Sequence, residues 1–388
     1  MNICFLSRDY PPNLLGGVGT YTYEMARALT KLGHQVYVIS EAIGQEGEFI
    51  EDGICVHRVR PMELPLPFFL KDKFKMTWER LEYSFAVSRR LRAIVKVYKI
   101  DVVESCEARS EGFWYYLFHS QPPLVIKLHT PEGIVFKLDR LPQTIDNKVK
   151  DKLEEWWILR ANKIVPVTKA VRDLVSQYYQ VKLGNLQAAY YPVNTLLFKP
   201  DGQWTGNNFP KILYAGRLEV RKGVQVLLEA IPEVLKKYAQ AHFYFVGADA
   251  GVKYLLERRI KELGCSANIT FIEQVAREEM PAYYHGADLC VFPSLWENFA
   301  FVALEAMACA KVVIASRVGG FSEMIDEGLN GILCQPGDSQ ELADKITFAL
   351  RDKLLMEMMG QRARKKIVDH HRPIERARQL VEAYQELL

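Results

Sequence analysis

A chain of 388 residues with 50 basic and 47 acidic side chains carries a net charge of +3, too small to argue for nucleic acid by itself. Hydrophobic residues make up 49% and charged residues 25%, the balance of a soluble globular protein, and the length suits two domains. Seven cysteines, Cys4, Cys55, Cys106, Cys265, Cys290, Cys309 and Cys334, form no C-x-x-C pair and lie mostly in apolar segments. They read as reduced core residues of a cytosolic protein. The N-terminus lacks the basic lead and long apolar stretch of a signal peptide, and no apolar run approaches the roughly 20 residues that span a bilayer.

Strand-like and helix-like segments alternate along the chain. Short apolar runs at Ile3–Ser7, Gln35–Ser40, Ile54–Val59, Asp101–Glu104, Leu124–Leu128 and Lys163–Val167 read as strands, with an amphipathic helix over Tyr21–Leu32. The pattern restarts at Lys211–Ala215 and continues through Ala241–Val246, Ile269–Ile272, Leu289–Phe292, Val312–Ala315 and Gly331–Cys334. Strands separated by helices predict a parallel sheet with helices on both faces, here twice in tandem. The polar, Gly- and Pro-bearing stretch 198–208 reads as the linker. The expected domains are therefore 1–198 and 199–371, with a C-terminal helix over about 372–388 packing back on the first. Ligands of open parallel sheets bind at the carboxyl ends of the strands, so two such domains facing each other would enclose a cleft.

Several motifs fall after strands. Gly16-Gly17-Val18-Gly19 follows the first strand and opens a helix, where glycines let backbone N–H groups approach an anion. The run has no Walker Gly-Lys-Ser/Thr, and the only acid at the end of the second strand is Glu41. In the second half, Gly216-Arg217-Leu218-Glu219-Val220-Arg221-Lys222-Gly223 sets Arg217 and Lys222 around one loop, a pairing suited to a diphosphate. Glu305 stands alone in the apolar run Phe301–Ala308, with no Arg or Lys three or four positions away. A buried carboxylate needs hydrogen bonds, and a ribose with two hydroxyls would satisfy both oxygens. The ordinary alternative is a bond to a neighbouring backbone N–H. Glu297 precedes it at the mouth of the loop Pro293–Ala300, which leads into a helix N-terminus fit for phosphate. Together these features suggest a nucleotide-sugar site.

Gly-Arg-Leu-x-x-x-Lys-Gly, then Pro-Ser-x-x-Glu-Asn-Phe, Leu-Glu-Ala-Met-Ala, Gly319-Gly320 and Glu323, resembles the retaining glycosyltransferases of family four. The resemblance covers nearly the whole chain and is strongest over Lys211–Asp338. It implies the α/β GT-B fold, two doubly wound Rossmann-like domains facing across a cleft. The first would bind the acceptor and the second a nucleotide-diphosphate sugar, a UDP- or GDP-sugar foremost. Carried over by position, Arg217 and Lys222 hold the diphosphate, Glu305 the ribose, and Glu297 faces the donor sugar. The segment Asn298, Phe299, Ala300 and Phe301 approaches phosphate or sugar, and Val275 lies along the base. Gly16 and Gly17 meet the phosphates, and His129, after Leu124–Leu128, contacts the transferred sugar. His129 and Glu297 are thus the expected catalytic pair. The chain departs from the family pattern at Ala300 and Ala310, where Gly is usual, and at Tyr191-Pro192-Val193-Asn194, where Asn-Gly-Val-Asp is usual.

The implied reaction moves a sugar to an acceptor hydroxyl with retention, in glycan, polysaccharide or glycolipid synthesis. Cations and helix amides would stabilise the departing diphosphate. No Asp-x-Asp pair stands where a metal would be held, so neither metal nor other cofactor is expected. The expected partners are the nucleotide-sugar donor and a glycan or lipid-linked acceptor. A nucleotide-sugar epimerase, a sugar phosphorylase and a non-catalytic sensor are the competing readings on the same fold. Aromatic and basic residues over 61–99, including Phe68, Phe69, Trp78, Arg89 and Arg92, suit a peripheral contact with the inner face of a membrane. The alternative is an ordinary helix with a solvated basic face.

Overall fold

A computed structural model describes residues 1–12, 16–65, 68–139, 141–184, 186–200 and 209–388. The chain divides into two compact units, Met1–Pro192 with Pro373–Leu388, and Val193–Arg372. In the first unit the strands are β1 (Asn2–Leu6), β2 (Gln35–Glu41), β3 (Gly47–Glu51), β4 (Ile54–Val59), β5 (Val102–Cys106), β6 (Leu124–Leu128) and β7 (Lys163–Pro166). They form one sheet in the order β3-β4-β2-β1-β5-β6-β7. Every pairing is parallel except β3 with β4. Ile3, Cys4, Phe5 and Leu6 are all buried, as a central parallel strand covered on both faces requires.

The second unit holds β8 (Lys211–Ala215), β9 (His242–Val246), β10 (Ile269–Ile272), β11 (Leu289–Phe292), β12 (Val312–Ser316) and β13 (Ile332–Cys334). Its wholly parallel sheet runs β10-β9-β8-β11-β12-β13. In each sheet the chain winds outward both ways from one central pair, β1 beside β5 and β8 beside β11. Those pairs are the topological switch points, and crevices open there at the carboxyl ends of the strands.

Strand β3 escapes the sequence pattern. Gly-Glu-Phe-Ile-Glu is a half-exposed edge strand with no continuous apolar run. The first helix spans Gly17–Lys31, so it begins inside the Gly-rich run rather than at Tyr21. The two units part at Pro192 and Val193 rather than at 198. The reason is that Phe198 is fully buried in the second unit, edge-on to Tyr284 at 6.0 Å, with its carbonyl bound by Arg364 Nη1 at 2.7 Å. Of the stretch read as a linker, 201–208 lies outside the described residues. The C-terminal helix Pro373–Gln385 belongs to the first unit. It packs on Gly17–Lys31, and Tyr384 donates to Glu104 Oε2 at 2.6 Å.

Candidate active site

The second unit's switch point is flanked by the loops after β8 and β11. Leaving β8, the chain turns at Gly216 and reaches a 3-10 turn over Val220–Lys222, after which helix Val224–Lys237 begins. Gly223 makes that geometry possible. Its φ is +70°, and a Cβ there would lie 1.8 Å from the carbonyl oxygen of Pro293. Side chains rarely adopt that conformation, and the backbone oxygen leaves no room. The two loops are tied by Leu295 N donating to Arg221 O at 2.8 Å.

Lys222 reaches across this junction. Its Nζ lies 2.5 Å from Glu297 Oε2, with side chains 21% and 4% exposed. The ammonium expected to hold a diphosphate is therefore ion-paired to Glu297, and that carboxylate, expected at the mouth, is buried beneath it. Arg217 differs: its side chain is 55% exposed and lies 3.4 Å from Glu219. Arg221 holds the same Glu219 at 2.8 Å. The next loop packs from below, where a Cβ on Gly320 would meet Asn298 O at 1.9 Å. Gly320 N donates to Glu297 O at 3.0 Å.

After Glu297, Asn298 Oδ1 accepts from Phe299 N at 2.6 Å. That amide is therefore engaged within the loop. Phe299 is buried and stacks on His371, with ring centroids 5.6 Å apart. Ala300 takes φ −82°, a conformation open to any residue, so a glycine is not required there. Helix Phe301–Ala308 starts with no side-chain cap, which leaves its N-terminal turn able to receive an anion. Ala310, the other departure from the glycine pattern, has φ +58°. A Cβ is strained in that left-handed region.

Glu305 is 4% exposed. Its carboxylate accepts from Arg277 Nε at 3.1 Å and from Tyr284 Oη at 3.0 Å. The expectation that both oxygens wait for an outside partner is corrected, and the partner is not a neighbouring backbone N–H either. The cation comes from 28 positions upstream, after β10. Glu305 is thus held by a guanidinium and a phenol from two other elements. Val275 is half-buried in that same post-β10 loop.

In the first unit, Gly16 and Gly17 are exposed at the start of the helix after β1. His129 follows β6 and is 4% exposed. Its backbone N–H donates to Glu107 Oε2 at 2.9 Å, and its Nδ1 shares a hydrogen bond with the Tyr191 hydroxyl. Its Nε2 is buried with no hydrogen-bond partner among the described residues. Burial, with Lys127 beside it, pushes the imidazole pKa down to about 3. The ring is neutral near pH 7 and serves as a hydrogen-bonding group rather than a cation. It also packs between Tyr21 and Tyr191, at centroid distances of 5.7 and 5.4 Å.

The structure thus joins Lys222 to Glu297 and adds Arg277, Tyr284 and Tyr191, which sequence reasoning passed over. Arg277 lies two residues beyond Val275. Nothing in the local sequence marks Tyr284 or Tyr191 as partners of distant site residues.

Helix Lys75–Tyr98 buries Tyr83, Ala86, Val87, Leu91 and Ile94, and exposes Arg89, Arg92 and Lys96. Leu66 and Pro67 and the side chains of Phe68 and Phe69, part of the membrane reading, lie outside the described residues. Among the described residues no helix is long and apolar enough to cross a membrane. One group there has metal-ligand spacing: Glu48, Cys55 and His57, at the β3–β4 edge of the first unit. The second unit's described residues offer none. A cavity of 450 Å³ in that unit lies at the amino ends of β8, β11 and β12, lined by Asp288 and Val312, opposite the loops described above.

Two family models match consecutive parts of the chain. One, Glycosyltransferase Family 4, matches residues 15–195, and the other, Glycosyl transferases group 1, matches residues 203–366. An uncharacterized glycosyltransferase of Methanocaldococcus jannaschii is 27% identical over 99% of this chain and 98% of that protein. Among solved structures, sucrose-phosphate synthase of Thermosynechococcus elongatus superposes with a TM-score of 0.81 at 20% identity, covering 100% of this chain and 98% of that one. HepE of Anabaena, solved in complex with UDP-glucose, gives 0.75 at 20% identity and covers 100% of both chains. These likenesses carry the GT-B fold of two Rossmann-like domains, and with the two matching models they make this chain a member of the family 4, group 1 glycosyltransferases.

Proposed function

We propose that this glycosyltransferase uses a nucleoside-diphosphate sugar, UDP- or GDP-linked foremost, and transfers the sugar to an acceptor hydroxyl with retention of anomeric configuration and without a bound metal. The second unit binds the donor and the first unit the acceptor. The observation that carries the reading is the convergence at one switch point of Lys222, Glu297, the uncapped helix Phe301–Ala308 and Glu305. That UDP-glucose occupies HepE, a protein of the same fold, supports the donor class.

In this mechanism the leaving group is a nucleoside diphosphate. Arg217, exposed and only loosely paired, meets it first, and Lys222 shifts part of its charge from Glu297 to phosphate oxygen. The positive end of helix Phe301–Ala308, which has no side-chain cap, favours the charge that develops there. Glu305, held in place by Arg277 and Tyr284, is assigned to the donor ribose through the family resemblance. Relieved of full pairing with Lys222, Glu297 faces the sugar. His129 is assigned to the transferred sugar through the family resemblance, and its neutral ring fits a hydroxyl contact at Nε2. Charge stabilisation at the leaving group then rests on side chains and a helix N-terminus, which is the basis for proposing a metal-independent reaction.

A thermal-shift screen with UDP, GDP, ADP and TDP tests donor binding, because a ligand specific to the native state raises stability by mass action. One or two of the four should raise the melting temperature in a concentration-dependent way. No shift with any of them, at millimolar ligand, contradicts the proposal. Proton NMR of the first-formed glycosidic linkage then decides between retention and inversion.

A further inference from the structure

Edge strand β3 is half-exposed and has no continuous apolar run, yet a group of side chains joins it to β4. The two strands pair antiparallel, with Glu48 opposite His57. Cys55 and His57 stand two residues apart on β4, so all three side chains share one face of the sheet. One ligand atom from each lies within 4.8 Å of the others. Cys55 Sγ is 3.5 Å from His57 Nε2, and His57 Nδ1 is 3.6 Å from Glu48 Oε2.

These atoms suit one ion. Zinc binds Cys sulfur at about 2.3 Å and His nitrogen or Glu oxygen at about 2.0–2.2 Å, and tetrahedral geometry then sets the donors about 3.3–3.6 Å apart. The sulfur and the ring nitrogen already have that spacing. Glu48, with its side chain 44% exposed, has at most about 1 Å to move and gives the ion a way in from solvent. The histidine is also left wanting. It is fully buried, and its Nδ1 makes no hydrogen bond with a described residue, a condition that costs free energy. Tyr98 donates to Glu48 Oε1 at 3.3 Å, as the outer partners of metal-bound carboxylates do.

We propose that Glu48, Cys55 and His57 form a structural site for one zinc ion, with water as the fourth ligand, which fastens β3 to β4. Burial, and then Glu48, hold the Cys55 thiol up at about 12. The ion therefore takes the place of the thiol proton, which leaves to water. Arg90, on helix Lys75–Tyr98, acts on both Cys55 and His57. It favours the thiolate and repels the ion, but a thiolate and a carboxylate together outweigh one guanidinium. Hard ions such as magnesium gain only a single carboxylate here, so the thiolate selects for zinc. The site lies at the sheet edge, away from the strand ends at both switch points, and the ion takes no part in sugar transfer.

Zinc titration of the untagged full chain, stripped with EDTA and desalted, tests the proposal, with a chromophoric chelator as competitor and cobalt(II) as the spectroscopic probe. One zinc per chain should be held against the chelator, and magnesium should not displace it. The cobalt form should show a thiolate-to-cobalt charge-transfer band that Cys55→Ser removes. Glu48→Gln, at a partly exposed position, should weaken zinc by at least about tenfold. Circular dichroism confirms that each variant is folded, and should Cys55→Ser not fold, Glu48→Gln decides. Three results each overturn the proposal: no zinc held against the chelator, a cobalt form of the wild-type chain without the thiolate band, or zinc affinity unchanged in Glu48→Gln.

Discussion

Replacing Lys222 by Ala should separate folding from binding in the second unit. The ammonium lies 2.5 Å from Glu297, whose side chain is 4% exposed. Truncation leaves a nearly buried carboxylate without its cation, and an orphaned acceptor of this kind costs about 1–3 kcal/mol. The lysine is 21% exposed, so water screens the pair and a cost of about 2 kcal/mol is the expectation. Diphosphate binding should weaken independently by about 1.5–3 kcal/mol, the worth of a charged hydrogen bond. That is roughly 10- to 150-fold in Kd. The double variant Lys222→Ala, Glu297→Ala removes the stranded charge. It should regain at least about 0.5 kcal/mol of stability over Lys222→Ala, as coupled pairs do, while binding stays weak. Urea denaturation measures the first quantity, and calorimetric titration with UDP and GDP the second. A Lys222→Ala protein whose nucleotide affinity changes less than twofold would refute the reasoning, whatever its stability.

Glu305→Gln keeps the shape and the Tyr284 contact but removes the charge facing Arg277. It should lower stability by about 1.5–3 kcal/mol and weaken nucleotide binding, read by denaturation and calorimetry. The His129 imidazole, held down at about 3 against an ordinary 6.5, is neutral in the folded chain while its unfolded counterpart gains a proton below 6.5. Its contribution is therefore full above pH 6.5 and is lost as pH falls toward 3. The stability difference between wild type and His129→Gln should shift against wild type by about 1.4 kcal/mol per pH unit between roughly pH 6 and 4. A pH-independent difference contradicts this. Ala310→Gly relieves a left-handed residue at φ +58° and should stabilise by about 1 kcal/mol in urea. Turnover should survive dialysis against EDTA, and loss reversed by manganese or magnesium contradicts the metal-independent proposal.

The strands were legible because, β3 apart, both sheets are parallel and largely buried, which gives most strands a short apolar run. Ile54–Val59, Leu124–Leu128, Lys211–Ala215, Ile269–Ile272 and Leu289–Phe292 have the bounds read from sequence. Strand β3 was not legible, since an exposed edge strand has no such run. Phe198 looked like linker because the residues after it are polar with Gly and Pro, yet its ring belongs to a core assembled from distant segments. The site divides in the same way. Loop residues near one another in sequence, such as Arg217 and Lys222 or Asn298 and Phe299, could be placed from motif order alone. Partners brought together by the fold could not. Arg277 and Tyr284 reach Glu305 from two other elements, and Tyr191 reaches His129 across 62 positions. Positions three and four from Glu305 are helical neighbours only, and its cation, Arg277, comes from a loop after another strand.

Hydrogen–deuterium exchange of the whole chain, with and without a nucleoside diphosphate that shifts its melting temperature, tests the central claim most directly. The account predicts slower exchange in peptides covering Gly216–Val224 and Glu297–Glu305, the two loops and the helix start at the β8–β11 switch point. Bound nucleotide with exchange unchanged in both segments, and protection confined to other parts of the chain, would contradict it.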